Sequence, residues 1–203
     1  MKKTMIKIEA SLLAAFILCC LLNITSFSKQ CDGIREKILR MHVIANSDSE
    51  EDQQLKLKVR DAVLSKGKEL FDGSVTSSDA ERKLSPYIDE LESTAESVIK
   101  NNGYDYDVKI IIGKDYFKTR VYDNSVTLPA GEYTAVKVII GDGAGKNWWC
   151  VMFPPMCLPA SDEKCELSDV LNSEENDVVN NGRKYKIKFK FVEIYEEIIK
   201  KIK

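Results

Sequence analysis

The chain has 203 residues and a formal net charge of −2, with 44% hydrophobic and 31% charged residues. This length and composition fit one globular domain with accessory segments, and they exclude a disordered chain and a multi-span membrane protein. The near-neutral charge excludes a strongly basic nucleic-acid-binding protein. A single histidine, His42, beside six cysteines leaves few ligands for a mixed Cys/His site, so neither a metal nor a cofactor is predicted.

The first 28 residues have the pattern of a targeting segment. Lys2, Lys3 and Lys7 precede a run over residues 10–22 that is apolar apart from Ser11, and a short polar stretch follows. This order is typical of a secretory signal peptide with a candidate cleavage position after Ser28, and an uncleaved membrane anchor fits the same pattern. Either interpretation predicts export, with membrane contact only through this segment.

The next part of the chain predicts one strand and two helices. Residues 37–45 are apolar and β-branched, and the acidic cluster that follows resembles a helix start. Apolar residues then recur at helical spacing over 50–71 and again over 78–101, each series forming one stripe. Pro86 is expected to kink or restart the second helix.

From residue 104 the periodicity changes to the alternation of a β-strand. Strands are predicted over 104–112, 116–122 and 132–140, with turns at 113–115 and 123–125, and together they form an antiparallel meander. The predicted fold class is therefore α+β. It is a single two-layer domain in which a mainly antiparallel sheet is packed by two long helices, with a further helix at the C-terminus.

The segments also predict a domain organisation. Behind the signal peptide or anchor of residues 1–28, residues 29–160 form the α+β domain. Residues 161–183 are acidic and rich in asparagine, which predicts an exposed connection. The last segment, 184–203, begins with lysine alternating with apolar residues as far as Phe191, which predicts a strand, and it then becomes helical.

Motifs for catalysis and nucleotide binding are weak. The glycine-rich run at 141–146 lacks the spacing of a phosphate-binding loop. His42 has the pKa range of a general base, but no nucleophile or orienting partner is identifiable, so a hydrogen-bonded structural role is favoured. Acidic residues such as Asp48, Glu50 and Glu132 keep an exported cell-wall hydrolase open as an alternative, and a structural envelope component is a second one. No catalytic residue is predicted.

The stretch at 148–157 is the best candidate for a recognition surface. Two adjacent tryptophans, Trp148 and Trp149, cannot both face one core if they lie in a strand, so one of them is expected at the surface. Pro154 and Pro155 should stop any central strand.

The cysteines point to an oxidising compartment. There, Cys150 and Cys157 are a candidate disulfide that would close a short loop over the two prolines. Cys31 and Cys165 then remain, and the spacing leaves open whether they pair.

Two long strings of residues resemble one family. HVIANSDSEEDQQLKLKVRDAVL, at 42–64, and LPAGEYTAVKVIIGDGAGKNWWCVMFPPMC, at 128–157, closely resemble stage II sporulation protein R of endospore-forming Firmicutes. The resemblance implies a signalling protein that is made in the forespore and exported into the space between two membranes. There it would activate a membrane-embedded aspartic-type protease of the mother-cell membrane, which then removes the pro-sequence of sigma-E.

Under this resemblance the protein is a ligand rather than an enzyme, secreted or held by its N-terminal segment. It would meet the extracytoplasmic face of the protease, and it is expected to bind no nucleic acid. The candidate partner-binding residues are His42, Asn46, Asp48, Trp148, Trp149, Pro154 and Pro155.

Overall fold

A computed structural model describes residues 2–71, 74, 76–122, 125–156 and 167–202 of the chain. The helices and strands of this part are, in chain order, α1 (Lys2–Lys37), β1 (Leu39–Ile44), α2 (Glu50–Lys68), α3 (Ser77–Leu84), a 3-10 turn (Ser85–Tyr87), α4 (Ile88–Asn101), β2 (Val108–Phe117), β3 (Arg120–Tyr122), β4 (Val126–Leu128), β5 (Gly131–Ile140), β6 (Asn147–Phe153), α5 (Leu167–Val170), α6 (Ser173–Asn180) and α7 (Lys186–Ile202). The α+β class predicted from the sequence is confirmed.

The N-terminal strand β1 lies inside a four-stranded sheet of order β2–β5–β1–β6. It pairs parallel with β5 and antiparallel with β6, while β2 pairs antiparallel with β5. Strands β3 and β4 form a separate antiparallel hairpin. The sheet is therefore mainly antiparallel, but the predicted meander is wrong, because β2 pairs directly with β5 and the strand predicted between them contributes β3 to a separate hairpin.

Helices α2 and α4 cover one face of this sheet. Side chains at helical spacing, such as Leu55 and Val59 in α2, are buried against alternate residues of β1 and β5. Helix α2 begins at its predicted start because the Ser49 hydroxyl accepts a hydrogen bond from the Asp52 backbone N–H. Pro86 lies in the 3-10 turn between α3 and α4, so the expected restart of the second helix is confirmed.

Helices from both ends of the chain cover part of the other face. Phe27 in α1 is buried in one cluster with Val179 of α6 and Phe189 of α7. Arg35 in α1 adds a polar link to α7, since its guanidinium pairs with the Glu196 carboxylate at 2.9 Å. The first and last helices are thus held together on the sheet.

Helix α1 is continuous over 36 residues and passes through Ser28. Its window Ser11–Lys37 is long and apolar enough to cross a membrane, by length and composition alone, and a signal sequence meets the same criterion. The side chain of Phe27 is only 2% exposed. Cleavage after Ser28 would therefore remove a residue of the folded core.

The predicted turn at 113–115 is wrong. These residues lie within β2, where Gly113 pairs with Ala135 of β5. Gly113 has no side chain to pack, but it keeps its place in the backbone pairing of β2 with β5. Glycine was therefore a misleading indication of a turn at this position. The strand predicted over 116–122 is divided between the end of β2 and the separate strand β3.

Two predictions near the C-terminus are also wrong. The stretch expected to be an exposed connection contains α5 and α6, and α6 buries Val178 and Val179. The strand expected at 184–191 is instead the start of α7. Phe189 and Val192 are both buried, and their spacing of three residues places them on one side of a helix.

Candidate functional site

Two loops at one end of the sheet hold each other through polar contacts. These loops, at 45–49 and 141–146, are called the loop clamp below. The side-chain oxygen of Asn46 accepts a hydrogen bond from the Asp142 backbone N–H in the second loop, at 3.0 Å. Asp48 Oδ1 accepts another from the Lys146 backbone N–H at 2.8 Å. The two sequence strings that carry the family resemblance therefore meet in space.

Gly145 marks the closest approach of the two backbones. Its N–H donates to the Ala45 carbonyl at 2.9 Å. A Cβ at this position would lie 2.1 Å from the Ser47 carbonyl oxygen, so no larger residue fits without moving a loop. The glycine-rich run thus packs one loop onto another.

Asp52, in the first turn of α2, holds the loop at 45–49 in place. Its Oδ2 accepts hydrogen bonds from the Asn46 amide at 3.0 Å and from the Ser47 hydroxyl at 2.6 Å. Burial opposes ionisation of this carboxyl, but the hydrogen bonds from Ser47 and Asn46 outweigh it and lower the pKa of Asp52. Ser49 is the N-cap of α2, and the residues before it brace the clamp.

The two tryptophans point to opposite faces of β6, which is an edge strand. Trp148 is 40% exposed, and the Arg60 guanidinium of α2 lies 4.7 Å from its ring centroid. Trp149 is half-buried on the other face. The expectation that one indole reaches the surface is confirmed for Trp148, which follows the loop clamp directly.

His42 lies in the centre of β1, on the face opposite Trp148. Its imidazole stacks on Trp149, with ring centroids 4.8 Å apart and an interplanar angle of 6°. Its Nε2 lies 3.0 Å from Asp115 Oδ2, a contact that is an ion pair only when the ring is protonated. Lys137 competes for the same carboxylate oxygen at 3.2 Å.

The electrostatics around His42 favour the neutral ring. Burial lowers the pKa of His42, and the attraction of Asp115 offsets this only in part, while Lys137 adds to the lowering. The ring is held by its stacking on Trp149 and by the approach of Nε2 to the Asp115 carboxylate. These contacts fit the structural role favoured for His42.

Several residues of this region were not singled out from the sequence. Arg40, fully buried two residues before His42, has its guanidinium 4.2 Å from the Phe117 ring centroid and donates to the Tyr122 hydroxyl at 2.6 Å. Lys56 is buried under the clamp and donates to the Lys146 carbonyl at 2.9 Å. A sequence signal existed only for Lys56, which sits at an apolar-stripe position of α2 between Leu55 and Val59.

The remaining candidates lie at the other end of β6. Pro154 is buried and Pro155 is half-buried, directly after the last residue of the strand, so the prediction that they stop it is confirmed. Cys150 is fully buried and disulfide-bonded. Cys157 lies outside the described residues, so the pairing of Cys150 with Cys157 stays a prediction.

The predicted site residues thus divide into three groups. Asn46, Asp48 and Trp148 share one exposed region, His42 and Trp149 pack together on the opposite face of the sheet, and the prolines lie a strand length away. Within the described ranges, no three His, Cys, Asp or Glu side chains gather in a way that could hold a metal ion. The exposed region, with the Trp148 indole, the Asp48 carboxylate and the Arg60 guanidinium, is suited to contact with another protein.

Fold and site together describe a small α+β domain that follows an apolar N-terminal helix and presents a braced polar clamp beside an exposed indole. The sequence profile of a family described as stage II sporulation protein R matches residues 35–163. The chain belongs to this family, and a role in sporulation follows from that membership.

One relative is the protein named "Stage II sporulation protein R" from Bacillus subtilis (strain 168). It is 36% identical over 124 residues, which cover 61% of this chain and 55% of the relative. The chain therefore spans about half the length of the curated relative that it matches. No solved structure matches the chain.

Proposed function

We propose that the protein is an exported signalling ligand of endospore formation. It is made in the forespore, enters the space between the two membranes, and activates a membrane-embedded aspartic-type protease that cleaves the sigma-E precursor. Membership of the stage II sporulation protein R family carries this proposal. The N-terminal apolar helix supports it, because a signal peptide or an anchor would deliver the domain to that space.

The loop clamp is the surface proposed to meet the protease. Trp148, Asp48 and the Arg60 guanidinium lie around it, and an indole with nearby charges is a common anchor in protein interfaces. Buried contacts to Asp52 and Lys56 hold the clamp in one conformation, which reduces the entropy lost on binding. The role is that of a ligand rather than an enzyme.

The test is processing of the sigma-E precursor in cells that contain the protease, with and without this chain. Processing should require the chain. Trp148→Ala should reduce processing at limiting ligand by at least about tenfold, since loss of a central tryptophan anchor typically costs about 2 kcal/mol or more. Tyr87→Ala is the matched control, because Tyr87 is 42% exposed in the 3-10 turn, close to the 40% of Trp148.

Two results would count against the proposal. If the precursor is cut equally well without the chain, the ligand role is wrong. The second result is processing that requires the chain but is unchanged by both Trp148→Ala and Tyr87→Ala. In that case the ligand role stands and the clamp is the wrong surface.

A further inference from the structure

A groove lies between the β3–β4 hairpin and the start of α7, and only its helix side lies outside the part of the chain that the family profile matches. Its volume is about 1020 Å³. Hydroxyl-bearing residues such as Ser125 and Thr127 line the hairpin side, and Phe189 forms an apolar floor. This mixture of donors and apolar surface suits a ligand with both a polar and an apolar part.

The helix side of the groove is strongly basic. Residues 183–190 read RKYKIKFK and contain five cations and no carboxylate. Two of these cations are paired, Lys184 with Asp177 at 3.3 Å and Lys190 with Glu193 at 3.4 Å. Among the residues that the structure describes, no carboxylate forms an ion pair with the other three, which are Arg183, Lys186 and Lys188. Arg183 and Lys186 line the groove and offer an excess of positive charge to an anion, whereas Lys188 lies outside the lining, beside α1.

This basic segment lies beside the apolar part of α1. Phe27 stacks on Tyr185 with centroids 5.4 Å apart, and the Lys188 ammonium lies 5.4 Å from the Phe27 ring centroid. Ile24, only three residues before Phe27, is the last exposed large apolar residue of α1. Three residues of helix rise about 4.5 Å, so the residue that Lys188 contacts stands within one helical turn of the apolar stretch.

The direction of α7 agrees with this placement. Its start contacts Phe27 and its later part contacts Arg35, so α7 runs alongside α1 in the same direction, with its N-terminal end toward the apolar stretch. The positive end of the α7 dipole lies on that side as well. Ile187 and Phe191, which are 74% and 54% exposed, add apolar surface next to the cations.

We propose that the groove and residues 183–190 bind anionic phospholipid headgroups at the membrane surface where α1 enters the bilayer. Arg183 and Lys186 meet the phosphate, and the Ser125 hydroxyl donates to its oxygens. Lys188 adds positive charge beside α1, and Ile187 and Phe191 reach the acyl boundary. Basic residues next to an apolar helix gain from an anionic surface, and this gain falls with salt. The site depends on α1 lying in a membrane and is independent of any protease partner.

The test uses the full chain in nanodiscs of phosphatidylcholine alone or mixed with phosphatidylglycerol, and measures hydrogen–deuterium exchange over residues 183–191. Exchange should be about tenfold slower in the anionic discs, and high salt should remove the difference. The triple variant Arg183→Gln, Lys186→Gln and Lys188→Gln should also lose it. The matched control, Arg82→Gln with Lys100→Gln and Lys109→Gln, removes the same charge from exposed positions elsewhere and should keep the protection.

Three outcomes would overturn the proposal. The first is equal exchange in both kinds of disc. The second is equal loss of protection in the test and control variants, which would indicate only a response to net charge. The third is the same protection by inorganic phosphate in neutral discs, which would make the groove a site for free anions rather than lipid.

Discussion

Burial and a neighbouring carboxylate act on His42 in opposite directions. Because burial wins, the pKa of His42 is below its ordinary value of 6.5, and the folded chain holds fewer protons than the unfolded chain just below that pH. The contribution of His42 to stability is therefore fully present above pH 6.5 and is lost as the pH falls through the lowered pKa. His42 is the single histidine, which makes this dependence assignable.

We predict that His42→Phe removes most of this pH dependence. Phenylalanine keeps a flat ring on Trp149 but does not titrate. Urea unfolding of the full chain in detergent micelles, at about pH 7.5 and about pH 5.5, measures the difference for both proteins. An equal fall in stability in the variant would show that another group is responsible.

A second residue-scale prediction concerns Asp48. Its single described hydrogen bond to the Lys146 backbone closes the clamp, so Asp48→Ala should lower the free energy of unfolding by about 1 kcal/mol. Asp48→Asn retains an acceptor oxygen and serves as the control. Amide exchange at Lys146 should accelerate in the alanine variant and stay close to wild type in the asparagine variant. Fast exchange in both would indicate that the carboxylate charge is required.

Helix α1 has two parts, an exposed apolar part and a part packed in the domain, and Phe27 belongs to the second. The helix exposes large apolar residues such as Leu12 and Phe16 and buries Phe27 against α7. We predict that Phe27→Ala destabilises the domain by about 3 kcal/mol, the usual cost of removing a buried aromatic ring. Phe16→Ala, at a 67% exposed position of the same helix, should change stability by no more than about 0.5 kcal/mol. Thermal unfolding in the same micelles compares them, and equal effects would place Phe27 outside the core.

The elements also show where sequence patterns suffice and where they do not. Helices α2 and α4 were predictable because one apolar stripe decides their spacing, and a cap or a proline decides their ends. Around the start of α7, apolar residues alternate with lysines from Tyr185 to Phe191, which satisfies the strand period, while Phe189 and Val192 satisfy the helical one. The local pattern therefore fits both a strand and a helix, and the helix is the form in which Phe189 packs against α1.

The candidate site was predictable to a similar degree. The surface position of one tryptophan follows from strand geometry alone. The clamp does not, because its hydrogen bonds join residues separated by almost a hundred positions, as from Asp48 to Lys146. The contact of His42 with Asp115 likewise depends on β2 and β1 both lying beside β5, which no local pattern indicates.

For the whole molecule, the place of β1 predicts how the domain folds. All partners of β1 are in β5 and β6, about ninety or more residues later, and such distant pairing slows folding to milliseconds or seconds. We predict that a chain ending at residue 130 shows no exchange protection in β1, although α2, α3 and α4 are complete. Hydrogen exchange of that fragment against the full chain measures this. Protection of β1 in the fragment would mean that local contacts alone can hold it.

The central position of β1 also determines when the domain can complete its fold during export, if the N-terminal part of the chain crosses the membrane first. Residues 39–44 emerge early, yet they stay unpaired until residues 131–153 have followed, and the clamp needs residues from both segments. A partly translocated chain therefore displays no assembled clamp. In the proposed role, the fold itself would act as a completeness check, since only a fully delivered domain presents its recognition surface.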